Sequence, residues 1–195
     1  MLIETERLIL RELRPCDYGS LCGILQDEDV MYAYEGPFSD AEAQDWLASQ
    51  IDRQKDFGMG LNAVILKESG DMIGQCGLTM QHWKDETLLE IGYLFQKAYW
   101  HKGYATEAAI ACKGFAFNVL NADSVCSIIR DTNIASQNVA VRNGMRIIDT
   151  WTKHYRGVDM PHILYSITQE EYAKQLNGSK CSRDFGCHAC SAAYK

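Results

Sequence analysis

The chain has 195 residues, of which 47% are hydrophobic and 23% are charged, a composition typical of one globular domain with a substantial core. Its formal net charge of −7 disfavours nucleic acid as a partner, because a protein that binds a duplex normally carries a basic patch. Charged residues interrupt the N-terminus, and no apolar stretch reaches the length of a membrane span, so we expect a cytoplasmic protein without membrane contact.

Alternation, helical spacing and turn residues predict the order of the elements along the chain. A capping box at Ser39 and Glu42 marks one helix start, and Asn133 is a suitable N-cap for another. In chain order we expect a strand at 6–12, a helix at 16–25, a helical turn at 28–34, a helix from Ser39 to about residue 55, strands at Leu61–Leu66, 72–80 and 88–95, a helix from Tyr104, a strand at Ser124–Arg130, a helix from Ile134, strands at Arg146–Tyr155 and 162–168, and a helix at 169–176. Gly74 and Gly77 interrupt one strand, which suggests a bulge or the close approach of another group.

The most informative segment is the strand at 88–95 with the turn and helix that follow. Gly103 stands at the junction, and from Tyr104 small apolar residues recur at helical intervals. A helix that begins after a glycine turn offers unpaired N–H groups and the positive end of its dipole, which favours a phosphate. The turn is not a P-loop, because Lys102 precedes Gly103 and Tyr104 follows it. The dinucleotide fingerprint G-x-G-x-x-G is also absent.

The segments E-I-G-Y-L-F and Y-W-H-K-G-Y-A-T-E-A resemble motif A of the GNAT N-acetyltransferase superfamily, most closely the branch with the ribosomal-protein alanine N-acetyltransferases. The resemblance implies a single-domain α/β (α+β) fold over 1–176, with a mixed, mostly antiparallel sheet that is flanked by helices and splayed at the acetyl-CoA site. Gly103 and Ala105 fit the family's pyrophosphate loop. Trp100 stands where Arg or Gln is usual, and His101 stands where Gly is common.

A second segment, N-I-A-S-Q-N followed by N-G-M, resembles the family's other CoA-binding motif. The two motifs together imply that acetyl-CoA is the co-substrate and that no metal takes part. The positions that the resemblance assigns to acetyl-CoA are Leu94, Phe95, His101, Lys102, Gly103, Tyr104, Ala105, Thr106, Asn133, Ser136 and Asn138. For Asn133 the alternative is a purely structural cap.

By the same resemblance, the expected activity is direct transfer of an acetyl group to a primary amine in a ternary complex. Glu90 is the candidate general base, since it is the only charged residue of 88–95; the alternative is that it faces solvent or pairs with a basic neighbour. A backbone N–H near Leu94 or Phe95 is the expected oxyanion donor. Ala140 stands where many relatives carry a tyrosine that protonates the leaving thiolate.

The acceptor is less defined by sequence than the donor site. Trp83 and Tyr155 are candidate acceptor contacts, although packing is the favoured alternative for both. A protein N-terminus, a small polyamine and an aminoglycoside-like amine all stay open, as does a homodimer. A non-catalytic acyl-CoA-binding module is the alternative function.

Residues 177–195 differ in composition from the rest of the chain. Cys181, Cys187 and Cys190 give a weak zinc pattern without a clear fourth ligand. We therefore expect a flexible, cysteine-containing tail rather than a metal site.

Overall fold

The computed structural model describes residues 2–155 and 157–184, with the side chains of 155 and 178–184 excepted. Its strands are β1 (Ile3–Glu4), β2 (Leu8–Arg11), β3 (Leu61–Leu66), β4 (Met72–Trp83), β5 (Glu86–Phe95), β6 (Ser124–Arg130), β7 (Arg146–Tyr155) and β8 (Val158–Thr168). They form one sheet in the order β1-β2-β3-β4-β5-β6-β8-β7. Every neighbouring pair is antiparallel except β5 and β6. The mixed, mostly antiparallel sheet confirms the predicted fold class.

The helices follow the predicted order, and the helical turn expected at 28–34 is present as a short helix. They are α1 (Tyr18–Leu25), α2 (Glu28–Met31), α3 (Asp40–Phe57), α4 (Tyr104–Asn118), α5 (Ile134–Arg142) and α6 (Gln169–Asp184). The capping box of α3 is formed as predicted, since the Ser39 hydroxyl accepts from the Glu42 amide and the Glu42 carboxylate accepts from the Ser39 amide. None of the helices in the described residues is long and apolar enough to cross a membrane.

The sheet splays between its two parallel strands. β5 and β6 are in register at a single pair, Glu90 and Cys126, whereas the antiparallel β4 and β5 pair along their length from Gly74–Phe95 to Trp83–Glu86. Beyond Glu90, toward the C-terminal end of β5, the two parallel strands separate. This confirms the predicted splay and opens the middle of the sheet to a ligand.

Helix α4 packs on the sheet beside this opening through a face of small side chains. Ala108, Ala109, Cys112 and Ala116 are all fully buried there. The Sγ atoms of Cys112 and Cys76, the latter on β4, are 3.6 Å apart. Small residues bring the helix close to the sheet, and this fixes the position of the helix N-terminus relative to β5.

The glycines of β4 are required by close approach, as predicted. A Cβ atom on Gly77 would lie 2.0 Å from the Gly60 carbonyl oxygen, and one on Gly74 would lie 2.5 Å from the Phe95 ring. The bulge lies on β4 itself, next to Gly74, because Val64 pairs with Gly74 and Ile65 with Met72, which leaves Ile73 as the extra residue.

Two boundaries differ from the sequence prediction. The strand expected at 6–12 is shorter, and Ile3–Glu4 forms a further strand, β1, paired with Ile9 and Leu10. The last helix continues to Asp184 rather than ending at residue 176, because the backbone stays helical through Gly178. Residues 185–195, which include Cys187 and Cys190, lie outside the described part, and so does the Cys181 side chain.

Candidate active site

The turn before α4 presents backbone amides toward the opening in the sheet. Gly103 is the N-cap of α4 in the left-handed conformation, with φ = 82°, and no side chain caps the helix there. The first amide of this region that bonds within the helix is that of Glu107, which donates to the Gly103 carbonyl. The first-turn amides are therefore left for an anion. His101 also has a positive φ of 61°, a conformation that favours glycine and explains why glycine is common at this position in the family.

Arg7 at the start of β2 holds the turn in place. Its guanidinium pairs with Glu107 (Nε–Oε2 2.7 Å, Nη2–Oε2 2.6 Å) and donates to the Lys102 carbonyl (3.0 Å). It also lies 4.5 Å from the centroid of the Tyr104 ring. The Thr5 hydroxyl donates to the other oxygen of Glu107 (2.6 Å). The sequence analysis did not identify Arg7, because its partners lie about a hundred residues away.

Trp100 closes the turn from the other side. Its indole N–H donates to the Phe95 carbonyl at the end of β5 (2.8 Å). Tyr99 and Lys102 are adjacent, with the Lys102 ammonium 5.2 Å from the centroid of the Tyr99 ring. Trp100 therefore has a structural role at the position where Arg or Gln is usual in the family, and no side chain caps the helix that follows.

Side chains bridge β5 and β6 where the strands separate. The Ser127 hydroxyl donates to the Ile91 carbonyl (2.9 Å). The Glu90 carboxylate accepts from the Ile128 amide (3.1 Å), so that it replaces a backbone carbonyl of the missing ladder. Glu90 is thus fixed at the apex of the splay rather than turned toward bulk solvent.

The environment of Glu90 suits a base. Burial raises the pKa of its carboxyl above the usual value, against the opposing influence of the Ile128 amide, the Lys153 ammonium and the Thr79 hydroxyl. A carboxylate with a raised pKa is a stronger base than an exposed one. Its electrostatic neighbour Lys153, on β7, has a pKa lowered chiefly by burial.

Strand alternation decides which β5 amides face the gap. The Gln96 amide donates to the Ile73 carbonyl on the β4 side, whereas the Ile91 carbonyl faces β6. Backbone groups of successive residues point to opposite neighbours, so Leu94 faces β4 and the amides of Tyr93 and Phe95 face the gap. Of the two predicted oxyanion donors, Phe95 has the suitable orientation. The Tyr93 amide, two residues earlier on the same strand, has the same orientation and is a second candidate donor.

The N-terminus of α5 forms the opposite wall. Asn133 caps the helix by accepting from the Ser136 amide (3.0 Å), which is the structural alternative considered for it. The Ser136 carbonyl accepts from the Tyr93 hydroxyl (2.9 Å), which links the two walls. Asn138 is exposed on the same helix.

A cavity of about 480 Å³ runs through the opening. Its wall on the α5 side includes Leu94, Asn133 and Ser136, and Glu90 lies along it. The far side is formed by residues of several distant elements: Trp46, Arg53, Thr79, Gln81, Lys153 and His162. Its size is that of an ordinary small-molecule site.

Of the two predicted acceptor contacts, Trp83 is not among the described residues that line this cavity. Trp83 is buried under β7, where it donates to the Asp149 carboxylate (2.8 Å) and packs edge-to-face on Trp151 (5.6 Å between centroids). This is the packing role that was its alternative. The side chain of Tyr155 lies outside the described part. Lys153 and Arg53, which the sequence analysis missed, do line the cavity.

The site fits an acyl-CoA without a metal ligand set. The unpaired amides at the start of α4 suit its pyrophosphate, and the gap beyond Glu90 leaves strand amides free for a carbonyl. Among the described residues, no three His, Cys, Asp or Glu side chains converge as metal ligands.

Comparison with known proteins agrees with this geometry. The sequence profile of the acetyltransferase (GNAT) domain matches residues 7–146. The chain is 35% identical to the uncharacterized protein YkkB of Bacillus subtilis, over 76% of this chain and 89% of that protein. It is 31% identical to the uncharacterized N-acetyltransferase YnaD of the same organism, over 75% and 83% of the two chains.

A solved structure gives the same result for the fold. The GNAT-family acetyltransferase of Bacillus anthracis superposes with a TM-score of 0.74 at 25% identity, over 87% of this chain and 99% of that one. Motif, fold and relatives therefore agree, and the chain belongs to the GNAT family of acetyl-CoA-dependent N-acetyltransferases.

Proposed function

We propose that this protein acetylates a primary amine by direct attack on acetyl-CoA in a ternary complex, with Glu90 as the general base. The observation that carries the proposal is the position of the Glu90 carboxylate. It lies at the apex of the β5–β6 splay, in the wall of a cavity that extends to Leu94 and Asn133 on one side and to Lys153 on the other.

The base is needed because the nucleophile is a neutral amine. An α-amine has a pKa near 7.7–8.0 and is partly neutral at physiological pH, whereas a lysine amine near 10.4 is almost fully protonated. Glu90 accepts the proton from nitrogen as the carbon–nitrogen bond forms, directly or through one water molecule. The Ile128 amide donates to one carboxylate oxygen and the Thr79 hydroxyl also interacts with the carboxylate, so these two groups hold Glu90 in the cavity wall.

The remaining steps use the backbone. The amides of Tyr93 and Phe95 are oriented to donate to the oxyanion that develops on the thioester carbonyl. Ala140 is buried and offers no acid for the leaving group. A thiol has a pKa of about 8.5, so the thiolate departs without strong acid assistance.

The acetyl-CoA contacts belong to the same proposal. The backbone of residues 102–106 holds the pyrophosphate, and Ser136 with Asn138 lines the route of the pantetheine chain. The His101 side chain contributes less than its backbone, because the left-handed turn and not the imidazole shapes the site.

The test compares two isosteric variants on one strand. Glu90→Gln keeps the acceptor for the Ile128 amide but removes the base, and we expect kcat to fall by about 10²–10⁴-fold with an unchanged Kd for acetyl-CoA. Glu86→Gln changes an exposed carboxylate at the other end of β5 and serves as the control. An undiminished kcat in Glu90→Gln would show that Glu90 is not the base.

The acceptor class is found by incubating the enzyme with acetyl-CoA and amines of each kind, namely peptides with free N-termini, polyamines and aminoglycosides. A mass gain of one acetyl group identifies the acceptor without thiol reagents. The second candidate, a non-catalytic acyl-CoA-binding module, predicts that acetyl-CoA raises the melting temperature while no amine is acetylated.

A further inference from the structure

The wall of the cavity around Glu90 carries more cations than the reaction requires. Arg53, Arg130 and Lys153 line it, whereas Glu90 is the only carboxylate among the described lining residues. This contrasts with the protein as a whole, whose formal net charge is −7. Composition alone does not explain a positive cavity in an acidic protein, and the three cations differ in their partners.

One of the three is already neutralised. Arg130 forms a 2.5 Å salt bridge with Glu35 and donates to the Tyr32 carbonyl (3.1 Å). Its charge is therefore used in joining β6 to the segment after α2. Glu35 compensates the charge of Arg130, although the buried Nε of Arg130 has no hydrogen-bond partner among the described residues.

Lys153 is different, because its ammonium faces the cavity without a direct partner. It interacts electrostatically with Glu90, yet no salt bridge within 4.0 Å joins the two described side chains. Its ammonium lies 5.7 Å from the centroid of the Trp83 ring. The Glu90 oxygen that is already engaged accepts from the Ile128 amide and not from Lys153.

Arg53 adds a second uncompensated charge at the rim. It projects from the C-terminal half of α3, is exposed, and forms no salt bridge among the described side chains. The neighbouring cation on the same helix, Lys55, lies 3.3 Å from Asp52 and is not part of the cavity wall. The cavity therefore keeps an excess of positive charge even when Glu90 is ionised.

An acceptor that brings only positive charge does not fit this wall. A polyamine or an aminoglycoside would place further ammonium groups against Lys153 and Arg53, where partial burial weakens the screening by solvent. A carboxylate or a phosphate on the acceptor would instead give Lys153 the hydrogen-bonded counter-ion that it lacks. The amine of the same molecule would then lie beside Glu90.

Size restricts the acceptor further. The volume of about 480 Å³ serves both substrates, since the same wall includes Leu94 and Ser136 on the acetyl-CoA side. Little of it is left for the acceptor. We infer that the acceptor is a small primary amine that also carries an anionic group, a carboxylate or a phosphate, which Lys153 and Arg53 bind; this rests on the function proposed above.

The experiment uses acceptor pairs that differ only in the anion. 4-Aminobutyrate is compared with its carboxamide, phosphoethanolamine with ethanolamine, and spermidine represents the polycations. We expect kcat/KM for the anionic member of at least one pair to exceed that of its neutral partner by 10-fold or more, with spermidine the poorest acceptor. The pair that responds identifies carboxylate or phosphate as the recognised group.

Variants then assign the recognition to the named residues. Lys153→Met is expected to reduce the ratio of kcat/KM for the anionic amine to that for its neutral partner by 10-fold or more, mainly through KM for the anionic amine. Because the Lys153 ammonium also acts on Glu90, any change in the base affects both members of the pair and cancels in this ratio. Lys153→Arg restores most of the preference, and Arg53→Gln reduces it to a smaller extent. Lys55→Met is the matched control, and it leaves both acceptors unchanged.

A binding measurement separates this inference from the catalytic proposal. Calorimetric titration of the CoA-bound protein with the N-acetylated acid and with its amide reads recognition without turnover. If the acid binds through Lys153 but nothing is acetylated, the recognition stands and the catalytic proposal fails. If neutral amines or spermidine are acetylated as well as the acids, or if Lys153→Met affects both members of a pair equally, the inference is overturned while the enzyme remains.

Discussion

Replacement of Arg7 by Met tests whether the phosphate turn depends on a residue far from it in sequence. The variant removes the guanidinium and keeps much of the aliphatic volume. It leaves Glu107 with the Thr5 hydroxyl and the Arg7 backbone amide as partners, so no charge is left without a hydrogen bond. The Lys102 carbonyl loses the side-chain donor that fixes the turn.

The contacts set the expected loss of stability. The Arg7 side chain is 42% exposed, so solvent screening limits its pair with Glu107 to about 0.5–1 kcal/mol. The hydrogen bond to Lys102 contributes roughly 1 kcal/mol, and the stacking on Tyr104 about 0.5 kcal/mol. The sum of about 2 kcal/mol corresponds to a decrease in Tm of roughly 4–8 °C for a domain of this size.

Affinity for CoA is expected to fall as well. Releasing the Lys102 carbonyl frees the backbone next to Gly103, and reordering one residue on binding costs about 1–2 kcal/mol. We therefore expect Kd for CoA to rise by about 5–30-fold. Calorimetric titration with CoA, at a temperature where both proteins are folded, measures this directly.

Arg146→Met provides the control. It removes another arginine–glutamate pair, with Glu171 at 2.8 Å, which is 65% exposed on the arginine side and does not touch the turn. It is expected to shift Tm slightly and to leave CoA affinity unchanged. If Arg7→Met loses stability but binds CoA as tightly as the wild type, Arg7 supports the fold only and the reasoning about the turn is refuted.

Three further predictions concern separate parts of the chain. Asp17→Asn should lower the free energy of unfolding by about 2–4 kcal/mol, since buried Asp17 forms a two-point pair with Arg11 (2.7 and 2.8 Å). Burial alone would raise the pKa of Asp17, but its hydrogen bonds, first that from Arg11, lower this pKa below its value in the unfolded chain. The stabilisation is therefore present above the unfolded pKa and is lost as pH falls through the folded pKa. Urea titrations at several pH values should show this loss in the wild type and not in the variant. His101→Gly should leave Kd for CoA within about 2-fold of the wild-type value, because glycine keeps the left-handed turn. A larger loss of affinity would show that the imidazole itself contributes to CoA binding. The acid limb of log kcat/KM should approach a slope of 2 in the wild type, from the amine and from Glu90 with its raised pKa, and a slope of 1 in Glu90→Gln.

Local sequence signals were sufficient to predict the strand, turn and helix that we propose bind acetyl-CoA. Gly103, the strand before it and the helix after it are contiguous, so spacing and turn chemistry alone predicted their arrangement. Glu90 was identifiable because a charge in an apolar strand is unusual. Its hydrogen bond to Ile128 was not, since that contact depends on how far two parallel strands separate.

The acceptor side could not be predicted in the same way. Lys153 and Arg53 lie on β7 and α3, and only the tertiary fold brings them to the cavity that contains Glu90. Trp83 shows why an aromatic residue beside a polar turn is ambiguous in sequence: it was predicted as an acceptor contact with packing as the alternative, and only the fold shows that it is buried and donates to Asp149 on β7. β1 was missed for a related reason, as its two residues owe their conformation to pairing with β2.

The small-residue face of α4 links core packing to ligand affinity, because both depend on the position of the same rigid helix. Cys112 and Cys76 set the distance between helix and sheet, with their sulfur atoms 3.6 Å apart, while the other end of the same helix carries the amides for phosphate. A bulkier side chain at Cys112 would push α4 away from the sheet and so move those amides away from β5. A substitution deep in the core, remote from any ligand, would then be recorded in an assay as a change in KM for acetyl-CoA.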